Sequence, residues 1–263
     1  MNLDLKTLLI LSYTLVLGLV LLERVFPRHP YRWLKMGLFS DLGFQLLLVF
    51  LVPILHSVFP MSFQEIRSFA PDWLEDVSLP WQFVIALVVG DFLRFIVHFA
   101  THQSKLLWPV HLLHHSAKEV SLTSAFRSGY LEEVFLIAFC LLPLHLLKID
   151  SHMIELCFIF FGLHGYFLHS NIRFKMPKPL RFIACPHFHH WHHERRLLKS
   201  GGQNYGATFT WWDMMIGKYV FPAETPSDYG LYGDEEIEGN FLGQFFYPLS
   251  NARIVKGKKE ETL

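Results

Sequence analysis

The stretch that decides the fold runs from residue 98 to residue 115 and reads HFATHQSKLLWPVHLLHH. His98 and His102 are four residues apart, so on a helix they share one face. Pro109 prevents a continuous helix between this pair and the histidines that follow. A new helix beginning there would carry three imidazoles on one side, namely those of His111, His114 and His115. The spacing therefore predicts two consecutive helices that both present imidazoles.

A second histidine-rich stretch, residues 185–194, reads CPHFHHWHHE and repeats the H-x-x-H-H spacing. The repeated positions are His189, His192 and His193. His187 and His190 are out of register, and on a helix they would turn away from that face, either behind the ligands or at the surface. His169 ends an apolar segment and is a ninth candidate. His164, five residues earlier, is a further candidate or an ordinary helix histidine.

Histidine is abundant and clustered, because the chain has 16 histidines and most lie in the windows 98–115 and 164–193. A single metal ion takes about four to six ligands, so nine or ten imidazoles indicate two ions. Imidazole suits iron, zinc, copper and nickel. The predicted ligands are His98, His102, His111, His114, His115, His169, His189, His192 and His193, with His164 as a tentative tenth.

Five apolar segments predict an all-α integral membrane bundle of about four to five helices. Hydrophobic residues make up 52% of the chain and charged residues only 17%. The segments are Thr7–Leu22, Leu42–Phe63, a stretch from Pro80 through His98, Val134–Leu147 and Met153–Ile172. Buried helices of a water-soluble protein are the alternative, but such domains rarely contain a long uncharged run such as the second segment.

Basic residues follow the first and fifth segments, whereas the segment between residues 60 and 80 is mainly acidic. By the positive-inside rule, both histidine windows form a helical cap that faces the cytoplasm. The formal net charge is zero, which gives no reason to expect a nucleic-acid partner. The three cysteines are widely spaced and predict buried free thiols.

The histidine motifs resemble those of the fatty acid hydroxylase and sterol desaturase superfamily. The resemblance runs through H98-x-x-x-H102, L107-W-P-V-H111-L-L-H114-H115-S, H169-S-N-I, P186-H-F-H189-H-W-H192-H193, N204-Y-G and W212-D. It implies a membrane bundle with a cytosolic di-iron centre (zinc being possible in purified or crystallised forms). It also implies a membrane lipid substrate that is hydroxylated, desaturated or oxidatively cleaved. Electrons would come from an external donor of the cytochrome b5, ferredoxin or reductase type.

One position departs from the superfamily pattern. Many bacterial members have His-Pro after the position of Arg127, whereas this chain has Ser128-Gly129. This variation resembles the alkylglycerol monooxygenase branch. The resemblance as a whole covers roughly residues 80–220. We therefore expect N-terminal membrane helices in residues 1–79, the histidine-motif domain in residues 80–225 and a tail in residues 226–263.

Several acidic and polar residues near the motifs are candidates for supporting roles. Asp91 precedes His98 by two helical turns, so it either accepts a proton from a ligand imidazole or pairs with Arg94. Asn204 is a second candidate for such support, and Tyr205 and Asp213 are expected to stabilise the cap or the ligands. Glu132 and Glu133 pair with Arg127, lie near the site or are solvated.

Two other functions remain open from the residues alone. A metal transporter would need ionisable ligands along the depth of its spans, where this chain has few. A metal-dependent lipid hydrolase could use a histidine-held zinc to activate water, but such sites usually contain carboxylates. The sequence therefore favours an oxygen-dependent lipid oxidoreductase.

Overall fold

The computed structural model describes residues 5–30, 37–48, 50–51, 54, 72–74, 76–125, 127, 130–199, 201–231, 237 and 241–251. In these ranges the chain contains helices and three isolated bridges between single residues, and no β-strand. The α-helices, in chain order α1 to α10, are Leu5–Val25, Leu38–Leu48, Leu79–Gln103, Trp108–His115, Tyr130–Leu146, Ser151–His169, Pro186–His192, Arg195–Lys199, Trp211–Met215 and Phe241–Asn251. The predicted all-helical class is thus confirmed for the described residues.

Two of the described helices, α3 and α6, are long and apolar enough to cross a membrane. They correspond to the third and fifth apolar segments of the sequence. The first segment lies within α1, and most of the fourth lies within the 17-residue α5. The second begins in α2, but most of Leu42–Phe63 lies outside the described residues. The number of spans therefore stays a prediction.

Proline marks the start of three helices that carry predicted ligands. α3, α4 and α7 each have proline in the first two positions, where the missing backbone N–H is not needed for an intrahelical hydrogen bond. α3 ends at Gln103 and α4 begins at Trp108, so the predicted break near Pro109 is confirmed. Both of these consecutive helices carry predicted ligands, as the spacing predicts.

α5 and α6 form the predicted helical hairpin. Lys148 has a positive φ of 55° in the turn, and the Asp150 carboxylate accepts from the backbone N–H groups of His152 and Met153. This cap satisfies two of the four open donors at the start of α6. α6 then runs back toward the end of the bundle at which α5 begins.

The apolar core lies between α3, α5 and α6. Gly90 of α3 faces Phe161 of α6, and a Cβ atom at Gly90 would lie 3.1 Å from the Phe161 ring. A larger residue at this position would therefore have to displace the Phe161 ring by a few tenths of an ångström. The three cysteines are buried free thiols, as predicted. The cluster of buried residues contains Ala86, Ile137, Leu141, Leu144, Ile149, Ile154, Cys157 and Phe161.

Residues 170–199 and 201–231, which we call the cap, follow α6 and contain α7, α8 and α9. Two backbone hydrogen bonds join its segments, from Ala184 N–H to Thr208 O at 2.8 Å and from Thr210 N–H to Phe182 O at 2.9 Å. The cap also contacts the residues that follow α1, because Arg173 N–H donates a hydrogen bond to Phe26 O at 2.8 Å. The C-terminal ends of α1 and α6 therefore lie side by side beneath the cap.

Candidate metal centre

The nine principal histidines predicted as ligands converge at one end of the bundle. α3 and α6 supply the imidazoles at their C-terminal ends, and the rest come from α4, α7 and the residue that follows α7, His193. The nitrogens form two groups, within each of which all ligand atoms lie within 4.8 Å of one another. The first group contains His98, His102, His111, His115 and His192, and the second contains His114, His169, His189 and His193.

The first group is a cage of Nε2 atoms. The Nε2 of His98 lies 3.1 Å from that of His111 and 3.0 Å from that of His192. The Nε2 of His115 lies 3.2 Å from that of His102 and 3.1 Å from that of His111. Imidazole nitrogens bound to one ion at about 2.1 Å, at right angles to each other, would be separated by about 3 Å. The spacing therefore fits a common cation.

The Nε2 atoms of His98 and His192 cannot form a hydrogen bond with each other, because each ring carries its proton on Nδ1. His98 donates its Nδ1–H to Tyr205 O at 2.7 Å, and His192 donates its Nδ1–H to Gln203 O at 2.8 Å. A neutral imidazole has only one N–H, so both Nε2 atoms present bare lone pairs. Two lone pairs 3.0 Å apart repel unless a cation lies between them. The donor set thus fits a metal ion.

The second group has the same character. His169 donates its Nδ1–H to Gly165 O at 2.9 Å, which leaves its Nε2 bare. This Nε2 lies 3.1 Å from that of His114 and 3.0 Å from that of His189, and His193 lies 3.1 Å from His189 on the other side. The two groups adjoin each other, since the ring centroids of His115 and His193 are 4.6 Å apart.

Burial keeps the imidazoles of α4 and α7 neutral. It lowers the pKa of His111 to about 3, and burial together with neighbouring histidines lowers the others well below the ordinary value. A metal ligand must be the neutral imidazole, so these groups are available for coordination at neutral pH without losing a proton first. The affected histidines are His111, His114, His115, His189, His192 and His193.

A single loop of the cap orients ligands on two helices. Gln203 and Tyr205 supply the carbonyls that fix His192 and His98, and Asn204 lies between them with a positive φ of 58°. The Asn204 side chain donates to Phe188 O and Val220 O, which holds this conformation. Asn204 therefore acts on the site through the loop, in line with the supporting role expected from the sequence.

Asp213 also stabilises the loop that contains Gln203, Asn204 and Tyr205. Its carboxylate accepts from the backbone N–H groups of Tyr205 and Gly206, both at 2.7 Å. Burial raises the pKa of Asp213 to about 7, whereas these two hydrogen bonds oppose the rise. The supporting role predicted for Asn204, Tyr205 and Asp213 agrees with these contacts.

The structure corrects both sequence-based interpretations of Asp91. Its carboxylate accepts from Thr208 N–H at 2.7 Å, Phe209 N–H at 3.1 Å and Trp212 Nε1–H at 2.9 Å. None of these donors is an imidazole, and Arg94 is not a partner either. The reason is that the cap folds back over α3 and brings three donors to a fully buried carboxylate. Asp91 thus anchors the cap to the bundle.

Glu132 is the carboxylate that the sequence left undecided. Its Oε1 lies 2.6 Å from Nδ1 of His111, and the side chain is buried. When a cation binds Nε2 of His111, the ring proton is on Nδ1 and Glu132 accepts it, which fixes the orientation of the ring. Arg127 pairs instead with Asp41 at 2.5 Å.

Three further histidines of the two histidine-rich windows, His164, His187 and His190, lie outside both groups. His164 stacks on Phe160 with ring centroids 5.6 Å apart, so the structure does not place this tentative ligand with the others. His187 accepts from Arg28 and donates to Pro222 O, and His190 contacts the Tyr229 hydroxyl. Both turn away from the ligand face as predicted, but they are fully buried, so the surface alternative is wrong.

Long apolar helices that end in two clusters of mostly buried imidazoles define a membrane-associated, metal-binding protein. The model of the fatty acid hydroxylase family matches residues 83–218, which is more than half of the chain and includes all nine imidazoles. The chain belongs to the fatty acid hydroxylase family. It is therefore a metal-binding oxidoreductase of lipid metabolism.

Its relatives act on different lipids. The chain is 27% identical over 253 residues to ornithine lipid hydroxylase OlsE of Rhizobium tropici, covering 92% of this chain and 74% of that protein. It is 25% identical over 180 residues to alkylglycerol monooxygenase of Caenorhabditis elegans, covering 68% of this chain and 35% of that protein. It is 27% identical over 220 residues to methylsterol monooxygenase 1 of Danio rerio, covering 73% and 66%.

The chain thus spans about a third of the length of the alkylglycerol monooxygenases that it matches. No solved structure matches it.

Proposed function

We propose that this chain is a multi-pass membrane oxygenase that holds two iron ions and uses O2 to hydroxylate a lipid. The single observation that carries this proposal is the division of nine imidazoles, seven of them buried, into two adjoining groups. Two groups of five and four neutral nitrogens suit two ions, with positions left for oxygen and substrate. Desaturation of a lipid and oxidative cleavage of an ether lipid are the alternatives to hydroxylation that use the same oxidant.

The bundle supports a lipid substrate. α3 and α6 both end at the imidazoles, and both are apolar along most of their length. An acyl chain that lies along these helices therefore has its polar end close to the metal groups. The proposed catalytic unit is residues 80–225, preceded by membrane helices in residues 1–79 and followed by the tail 226–263.

The arrangement of basic residues supports a cytoplasmic site. Arg28 N–H donates to Asn171 O at 2.6 Å, and this contact joins the chain after α1 to the chain after α6. Basic residues follow both helices, so they lie on the same side of the bundle as the imidazoles. The positive-inside rule then assigns this side to the cytoplasm, where a soluble or membrane-bound electron donor could reach it.

The protein's own groups prepare the site. The carbonyls of Gln203 and Tyr205 and the Glu132 carboxylate hold three rings with their Nε2 atoms toward the cation. Burial of the imidazoles excludes water that would otherwise compete with the substrate. When bound, two iron ions supply the capacity to activate O2 for attack on a C–H bond.

The other two functions are less well supported by this geometry. A transporter needs ligands at several depths, whereas the imidazoles of both groups collect at one end of α3 and α6. A hydrolase would bind few histidines and use a carboxylate to activate water. Here the nearest described carboxylate, Glu132, is already engaged by His111.

The proposal is tested with full-length protein in lipid nanodiscs, loaded with Fe(II) and supplied with a reduced electron donor and a bacterial lipid extract. We expect about two iron ions per chain. We also expect one lipid class to gain an oxygen atom that derives from isotope-labelled O2. Consumption of lipid in the absence of O2, or a product oxygen that derives from water, would identify a hydrolase and refute the proposal.

A further inference from the structure

One part of the cap lies beside α3 rather than beyond its end. The Asp91 carboxylate of α3 accepts from Trp212 Nε1–H of α9 at 2.9 Å. The Trp212 ring also packs against Phe92, with ring centroids 4.9 Å apart, and against Phe95, with centroids 6.4 Å apart. These contacts hold α9 against the stretch of α3 between residues 91 and 95.

The length of α3 sets the depth of this contact in a membrane. α3 has 25 residues and runs from Leu79 to Gln103. At about 1.5 Å per residue, a helix that enters the hydrocarbon at Leu79 and crosses about 30 Å leaves it after about 20 residues, near His98. Asp91 lies about 10 Å before His98 along the same axis, on the hydrocarbon side of the imidazoles. The part of the cap that contacts Asp91 therefore lies at the membrane boundary.

The cap residues around this contact are apolar and exposed. Met215 of α9 is 77% exposed. Trp211, at the start of α9, stacks on Phe182 with ring centroids 6.3 Å apart, which joins α9 to the segment before α7. Exposed apolar side chains in a cluster mark a contact surface rather than a surface that faces water. We call the following residues the apolar edge: Leu180, Phe182, Met214, Met215 and Ile216.

The apolar edge adjoins the exposed apolar stripe of α3. This stripe consists of Trp81, Val84, Phe92 and Ile96, which are all exposed and whose spacing places them on one side of the helix. A helix that crosses a bilayer presents such a stripe to the acyl chains. Phe92 contacts Trp212, and Met215 and Ile216 follow Trp212 by one helical turn. The two apolar surfaces therefore meet at Phe92.

The exposed charges of this part of the cap are positive. In residues 170–199 and 201–223 the acidic residues are Glu194 and Asp213, and both are fully buried. Lys178 is exposed, and Arg181 and Lys218 are partly exposed, each within a few residues of the apolar edge. Basic residues beside an exposed apolar surface favour binding to anionic lipid headgroups.

We infer that the apolar edge is immersed in the membrane interface, where Lys178, Arg181 and Lys218 bind the phosphates of anionic phospholipids. The apolar side chains lie about 5–10 Å deep, between the headgroups and the acyl chains. α9 and the segment before α7 thus belong to the bilayer interface and not to a wholly cytosolic cap. This inference requires only that the chain is a membrane protein, so it does not depend on the oxygen chemistry that we propose.

An acidic protein is the other partner that could use these charges. A protein that docked on α9 at the level of Asp91 would have to enter the bilayer, because Asp91 lies on the hydrocarbon side of His98. The exposed apolar side chains of the apolar edge would also remain in water wherever such a protein left them uncovered. The depth of the contact therefore favours lipid.

The test places a fluorescent probe on full-length protein in nanodiscs of phosphatidylcholine and phosphatidylglycerol. Met215→Cys supplies the thiol, and unsubstituted protein is the labelling control, since its three cysteines are buried. Lipids with a nitroxide on the acyl chain quench a probe inside the bilayer, and iodide quenches a probe in water. Ser227→Cys, exposed on the cap outside the apolar edge, is the matched control. We expect lipid quenching at Met215→Cys and iodide quenching at Ser227→Cys.

Lipid selectivity is measured with the same probe and with nitroxide-labelled phosphatidylglycerol or phosphatidylcholine. One basic residue near the membrane surface favours an anionic lipid by about fivefold, so protein that carries only the probe substitution should prefer phosphatidylglycerol by about fivefold or more. Combining Lys178→Gln with Lys218→Gln should lower this preference toward equality. Lys118→Gln, an exposed basic residue outside the apolar edge, should leave it unchanged.

Elution volume and metal content establish that each variant is folded. Iodide quenching at Met215→Cys as strong as at Ser227→Cys would overturn the inference, and protection of that probe by an acidic soluble protein would then identify a protein-docking surface. Immersion with equal affinity for the two phospholipids would overturn the phosphate contacts. An immersed, anion-selective cap in a protein that shows no O2-dependent lipid oxidation would refute only the proposed function.

Discussion

Replacing Asp91 with asparagine tests whether this carboxylate anchors the cap. The carboxylate accepts from Thr208 N–H, Phe209 N–H and Trp212 Nε1–H, and the residue is fully buried. Asparagine keeps one oxygen for one donor, but its amide nitrogen would face the other donors. Two charge-assisted hydrogen bonds are lost, each contributing about 1.5–3 kcal/mol. Removing the buried charge offsets part of this loss, so we expect a destabilisation of about 3 kcal/mol.

For a chain of this size that loss corresponds to a fall in Tm of roughly 6–12 °C. The assay is thermal unfolding of detergent-solubilised protein followed by size-exclusion chromatography, with metal content measured at each temperature. We expect metal to leave before the bundle unfolds, because the cap carries the carbonyls that orient His98 and His192.

The matched control is Asp72→Asn, since Asp72 forms an exposed ion pair with Lys148 that should contribute less than about 1 kcal/mol. Equal Tm values and equal metal retention for the two variants would refute the anchoring role.

Three further predictions follow from the site and the core. His114→Ala should lower bound iron and abolish turnover, whereas His164→Ala should keep its metal, and elemental analysis of both proteins decides whether His164 is outside the ligand set. Because burial lowers the pKa of the α4 and α7 imidazoles, protons should displace the metal only well below the ordinary imidazole range. Bound metal should then survive dialysis at about pH 6 and be lost only well below the ordinary imidazole pKa of about 6.5, and release already at that pH would contradict the reasoning. Gly90→Val should reduce stability by about 1–3 kcal/mol, because its side chain would collide with the Phe161 ring, and an unchanged Tm would show that the helices can separate there without loss.

The ligand-bearing helices could be predicted from local sequence. Pro109 predicts a helix break. The spacing of His111, His114 and His115 places the three residues on one side of a single helical turn. Neither feature needs information from elsewhere in the chain. The same is true of the hairpin between α5 and α6, where an apolar run stops at Lys148 and resumes after Asp150.

The supporting contacts could not be predicted in this way. The spacing predicts that Asp91 shares a helix face with His98, but its partners lie 117 and more residues away, in α9 and in the loop before it. Glu132 is 21 residues from His111, and nothing local distinguishes it from Glu133. Such pairings depend on how the cap closes over the bundle, which a helical pattern does not specify.

The division of the imidazoles into two groups was also beyond the sequence. The count of nine predicted two ions, but the H-x-x-H-H motif of α4 suggested one common face. The structure instead assigns His111 and His115 to one group and His114 to the other. The motif spacing predicts which side of α4 carries the imidazoles. The positions of α6 and α7 decide which nitrogens share one metal site.

The bare lone pairs of His98 and His192, 3.0 Å apart, also have a consequence for how the protein matures in the cell. Their mutual repulsion works against closing the cap, so a newly made chain should complete its fold only as it captures the iron ions that we propose. When iron is scarce, such chains would stay open to quality-control proteases. The cellular amount of this protein should therefore follow iron supply even when its synthesis is constant.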